Sequence, residues 1–256
     1  MRKVILFLIF LGIGSGILYA QSKRFTAKVV YLKGTVMVAE QTKAAQKARL
    51  GMVIPERTVI TTGTDSYCDI AFDKRYSKVM HIDAVSEVLV TPSLADTVTI
   101  QKGGALFRIK NLKKKEAFQV KTPTAIAGVR GSGMGVFYDL QQQITTVYDL
   151  EHLIYVAGLD SSGNPLGMRD LSKGGVHIPL QQGPSDGIPL DRNVGEQWKD
   201  FLQRLEEYSQ GQSGDPSMED DDLRKTQIKD LDLLRRDRTS GNPGSGDGAP
   251  EDFRNR

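Results

Sequence analysis

The chain is 256 residues long, with a formal net charge of +3 and a single cysteine. That length suits one sizeable domain with appendages. A lone cysteine excludes an intramolecular disulfide framework, and so mild a charge gives no footing for a nucleic-acid-binding reading.

Residues 1–20 follow the plan of a secretory signal peptide. Arg2 and Lys3 precede an apolar run from Val4 to Leu18, and Ala20 offers a cleavage point. Leu18 is large for the position three before the cut, so an uncleaved membrane anchor is the alternative. The apolar run is short against the roughly 20 residues that a membrane span needs. No cysteine lies near the cut, which excludes a lipid-modified N-terminal cysteine. The expectation is an exported chain, periplasmic if bacterial, meeting a membrane only if this segment is kept.

From Phe25 to about Ile178 short runs of period-two alternation recur between turn residues, the mark of β structure. Val29, Tyr31 and Lys33 oppose Val30 and Leu32. Ser66, Cys68, Ile70 and Phe72 share a face, which makes Cys68 a small core residue. Met80, Ile82, Ser86, Val88 and Val90 keep one phase. Further short strands are expected at 98–100, 106–109, 117–121, 133–138, 145–150 and 153–156. A single helical turn is the only helix candidate here, at 43–49. Such a pattern belongs to a mainly β sandwich, barrel or solenoid, and periodicity does not choose among them. Lys113, Lys114 and Lys115 fall between two strand candidates. Lysines keep a hairpin tip solvated. The functional alternative is a contact for an anionic wall polymer or lipid headgroups.

The stretch from Thr122 to Val136 organises this region. Pro123 fixes the backbone, and Gly131, Gly133 and Gly135 then alternate. In a strand those three would leave one face bare, ready for close approach by another layer. A phosphate-binding loop is rejected, because the glycines run into Val136, Phe137 and Tyr138 rather than a helix N-terminus. Arg130 is the stretch's only charge. It is expected to hold carbonyls or a carboxylate of a neighbouring turn, or else to meet a partner.

Thr122-Pro123-Thr124-Ala125-Ile126-Ala127-Gly128-Val129-Arg130-Gly131-Ser132 resembles the signature of the FecR domain family, Thr-Pro-x-Ala-x-Ala-x-x-Arg-Gly-Thr. Ser132 stands for the family's Thr, and Met134 for an aromatic residue. The strings 29–38, 60–72 and 103–107 are similar to further family segments in the same order, so the resemblance spans roughly residues 25 to 180. It implies a compact all-β unit with solenoid-like winding, acting in the bacterial envelope as a binding and signal-relay module. In founding members a cytoplasmic anti-sigma segment and a membrane span precede the domain. Here about twenty residues do, so no direct contact with a sigma factor is expected.

After Pro189 the character changes. Asn193 and Glu196 have the spacing of a capping box. Trp198, Phe201, Leu202, Leu205 and Tyr208 then recur at helical spacing. Such a stripe must be buried. Docking on the β domain, with Trp198 as anchor, is preferred over a free partner-binding helix. A second helix is expected from Asp215-Pro216 to Arg238, and disorder beyond Thr239. Residues 21–190 carry 21 basic and 15 acidic side chains, and residues 191–256 carry 11 and 16, so the two parts differ in sign.

No catalytic constellation emerges. His81, His152 and His177 are isolated, Asp220-Asp221-Asp222 lacks the calcium-loop pattern, and Ser132 lacks the nucleophile-elbow glycine because Arg130 occupies it. The expectation is a non-enzymatic, cofactor-free chain: signal peptide 1–20, β domain 21–182, two-helix extension 190–238 and tail 239–256. Its partner would be an envelope protein or cell-wall polymer. The competing class is a sensor relay acting with a separate membrane regulator.

Overall fold

The computed structural model describes residues 27–40, 43–91, 97–110, 112, 118–129 and 131–210. The first strands are β1 (Ala27–Lys33), β2 (Val36–Glu40), β3 (Gln46–Lys47), β4 (Val53–Ile54), β5 (Thr58–Thr62) and β6 (Tyr67–Ala71). Next come β7 (Lys78–Ile82), β8 (Glu87–Thr91), β9 (Thr97–Ile109), β10 (Phe118–Lys121) and β11 (Ala125–Val129). The last are β12 (Ser132–Asp139), β13 (Ile144–Asp149), β14 (Ile154–Leu159), β15 (Pro165–Leu171) and β16 (Gly174–Pro179), and helix α1 (Arg192–Ser209) follows. The chain is mainly β, as its alternation predicts.

The strands form two sheets that share one strand. The first sheet runs β4-β1-β6-β7-β9-β12-β13-β16, and the second β3-β2-β5-β8-β9-β10-β11-β14-β15. The chain crosses from sheet to sheet again and again, as at β5 to β6, β7 to β8 and β13 to β14. The winding is solenoid-like and its product is a two-layer sandwich. Among the described pairs β9–β10 is parallel and the others are antiparallel.

β9 merges the two short strands expected at 98–100 and 106–109. Its first half pairs with β8 and β10, and its second half with β7 and β12. The corner between them is Gly103, with φ +76°; a Cβ there would come within 2.3 Å of Ser86 Oγ. Gly104 N–H donates to the same Ser86 oxygen at 2.9 Å. The turn thus needs two residues without side chains and one small hydroxyl to bind the exposed amide.

Between the sheets lies an apolar core. Ile70, Met80, Ile82, Phe107, Met134 and Val136 of the first sheet meet Ile60, Val88, Ile100, Phe118, Val120 and Val156 of the second. Cys68 sits in it, fully buried. Met134 fills core space where the FecR signature has an aromatic. β1 departs from strict alternation. A bulge between Val29 and Tyr31 shifts the register, so Val29 and Leu32 face this core while Val30 and Tyr31 face away. The helical turn expected at 43–49 is not formed; β3 occupies its middle.

A third layer covers the outer face of the first sheet. Val194, Trp198, Phe201, Leu205 and Tyr208 of α1 pack on Ala71, Val79, Leu106 and Tyr148. Burying each large side chain is worth about 1.5–3 kcal/mol. The helix start corrects the expected capping box. Asp191 is the N-cap, and its Oδ1 accepts from Asn193 N–H at 2.8 Å and Val194 N–H at 3.2 Å. Glu196 instead pairs with Arg192 one turn back, at 3.1 Å.

Candidate functional site

The sequence places Asp69 on the polar phase of β6, opposite Cys68 and Ile70. In the fold α1 covers that face, and Asp69 becomes completely buried. A buried carboxylate is costly unless paired and hydrogen-bonded. Asp69 has three partners. His81 Nδ1 on the adjacent β7 lies 2.5 Å from Oδ1; Arg204 Nε and Tyr208 O–H, both from α1, donate to Oδ2 at 3.0 and 2.8 Å. Arg204 Nη2 also comes within 3.1 Å of the same His81 nitrogen. That nitrogen cannot donate to Asp69 and accept from Arg204 at once, and the shorter contact makes it the donor to Asp69 Oδ1.

The electrostatics agree. Burial alone would push the Asp69 carboxyl up, but the hydrogen bonds and charges of His81 and Arg204 outweigh it and hold the group below the usual carboxylate range. Burial and the neighbouring Asp69 charge raise the Tyr208 phenol, which stays a donor. The Arg204 guanidinium lies over the rings of Tyr31 and Tyr67, at 5.2 and 5.8 Å from their centroids. Sequence reasoning singles out neither Asp69 nor Arg204, takes Tyr208 as part of the apolar stripe alone, and leaves His81 isolated. The legible signal is Arg204 three residues after Phe201, on the edge of the apolar stripe.

The signature stretch serves the same architecture. Thr122 and Thr124 flank Pro123 at the turn from β10 to β11. Their hydroxyls each lie 2.6 Å from Thr145 Oγ1 on β13, and Thr124 Oγ1 donates to Ile178 O at 3.0 Å. All three threonines are buried, so this chain of hydroxyls ties the second sheet to the first. Thr122 Oγ1 also accepts Ala125 N–H at 2.9 Å. Ser132 clamps the start of β12, accepting His152 N–H and donating to His152 O, both at 2.9 Å. Gly133 is bare because Trp198 lies against it: a Cβ there would stand 2.5 Å from the indole ring. Of the three glycines expected to form one bare face, α1 approaches Gly133 alone, through Trp198; Phe137 and Leu106 lie against Gly135, and Gly131 precedes β12 with φ +126°.

Beside this stretch is an open cleft of about 490 Å³ lined by Lys110, Gly131, Glu151 and His152. Arg108 Nε lies 3.7 Å from Glu151 Oε1. Burial raises the nearby Asp149 carboxyl, an effect that the Glu151 and His152 backbone amides oppose. Arg130, Lys113, Lys114 and Lys115 lie outside the described residues, as do the stretches where a signal peptide, a second helix and a disordered tail are expected. Among the described residues no group of three or more His, Cys, Asp or Glu could hold a metal. No helix among them is long and apolar enough to cross a membrane. His152 is in the cleft, and His177 lies 3.0 Å from Thr146 Oγ1 on the surface, so the three histidines remain apart.

Residues 58–149 match the family model described as FecR protein. That interval runs from the first residue of β5 to the last of β13, narrower than the 25–180 of the resemblance. Two crystal structures of a candidate anti-sigma factor from Parabacteroides distasonis ATCC 8503, at 2.50 and 1.65 Å, are similar at 16% identity with a TM-score of 0.45. Each match covers 55% of this chain and 63% or 64% of the other, so the chain spans less than two thirds of their length. No curated protein matches the chain. The matched interval contains Asp69, His81, the threonine tie and the glycine strand, and over it the chain is similar to the FecR family.

Proposed function

We propose that this chain is an exported, non-enzymatic protein-binding module of the bacterial envelope that takes part in signalling. The observation that carries the reading is the FecR match over residues 58–149, a family of regulatory proteins. The chemistry of the described residues is consistent with it. The strongest cluster of ionisable groups is closed by α1 and spent on packing, which suits a recognition module better than a catalyst.

The test is in-cell crosslinking of the C-terminally tagged full-length protein, followed by purification from the envelope fraction. The expected result is one stoichiometric protein partner. Peptidoglycan fragments with no dominant protein would overturn the reading in favour of a wall-binding module and direct attention to Lys113, Lys114 and Lys115. Arg130→Ala separates two roles for the signature arginine. Lost capture at an unchanged melting temperature assigns it to the partner interface; a lowered melting temperature with capture retained assigns it to the fold.

A further inference from the structure

We infer that α1 is a detachable strap: it lifts from the outer face of the first sheet as a unit while the sandwich stays folded. This inference does not depend on the proposed function.

Three observations support it. The two apolar clusters share no residue. The inter-sheet core contains nothing from α1, and the cluster under α1 contains nothing from that core. Removing the helix therefore opens no cavity between the sheets.

The two interfaces also differ in kind. Between the sheets, apolar side chains are joined by the neutral hydroxyls of the threonine tie. The α1 interface holds Arg204 and Tyr208 on Asp69, and Gln197 Nε2 at 3.3 Å from Asp83 Oδ2. A buried charge pair gains little over solvated partners, because each charge recovers its water on separation. The polar contacts thus fix where the helix sits more than how tightly it holds. The glycine strand adds to this, since at Gly133 α1 meets backbone instead of an interlocking side chain.

Finally, the covalent connection has a natural hinge. Ile188 is pinned to Gly175 by two backbone hydrogen bonds of 2.8 Å. Between that pin and the Asp191 cap stand only Pro189 and an exposed Leu190. Rotation at 189–191 would swing α1 away without disturbing β16. Release would uncover Ala71, Val79, Leu106 and Tyr148 beside Gly133, an apolar strip shaped to a helix.

Native-state hydrogen exchange on the full chain tests this. Amides of α1 should exchange together, at least about tenfold faster than those of β9 and β12. Equal protection of α1 and those strands would overturn the inference. Gly133→Ala provides a second arm, because the added methyl pushes on the Trp198 ring. Faster exchange confined to α1 supports the strap; equal acceleration across β9 and β12 overturns it.

Discussion

Asp69 shows how much one side chain can depend on an element far away in sequence. Its carboxylate is satisfied only while α1 is docked, since two of its three partners arrive with the helix. Asp69→Asn leaves Arg204 beside a neutral group, and should weaken the docked state by about 3–5 kcal/mol. The readout is a red shift of Trp198 emission, free of other signals because the chain has one tryptophan. The pH dependence follows from the lowered carboxyl. The stabilisation is complete above the ordinary aspartate value of about 3.9. It fades as pH falls through the lower folded value. Wild type and Asp69→Asn should therefore converge in acid. Thr145 makes a second test. Thr145→Val removes the shared oxygen of Thr122 and Thr124, and should lower global stability in urea by about 1–3 kcal/mol. Cys68 should resist alkylation in the native chain, because burial pushes its thiol up and closes access.

Among the elements, β9 carries a tight constraint at its corner. Gly103 combines a left-handed backbone with no room for a methyl group. Gly103→Ala should cost at least about 1–3 kcal/mol from backbone strain alone, seen as a lower urea midpoint. The alternation of Met80, Ile82, Val88 and Val90 was readable because each strand has one face on the inter-sheet core. β1 departs from its expected alternation because a bulge leaves no trace in the sequence pattern. The halves of β9 looked like two strands because Lys102, Gly103 and Gly104 interrupt the pattern, while the backbone runs on through the corner. At α1 the apolar stripe fixed the helix and its buried face. Its start lies two residues before the one that the capping-box spacing of Asn193 and Glu196 predicts, because Asp191 reaches the free amides.

For the whole molecule, the glycine strand foretold that something would lie close against it, and the stripe of α1 foretold that something would cover the helix. Pattern alone does not join the two. Nor does it expose the Asp69 cluster, since an acidic residue on the outward phase of a strand reads as solvated until a third layer is known. The strand common to both sheets also gives the molecule a mechanical character. A load applied to either layer passes along the continuous backbone of β9 into the other. The layers cannot be peeled apart as two plates; separating them requires unzipping a ladder on β9 or bending its rod at Gly103. For a domain held between partners, that makes the sandwich a stiff link, and leaves α1 as the part free to yield first.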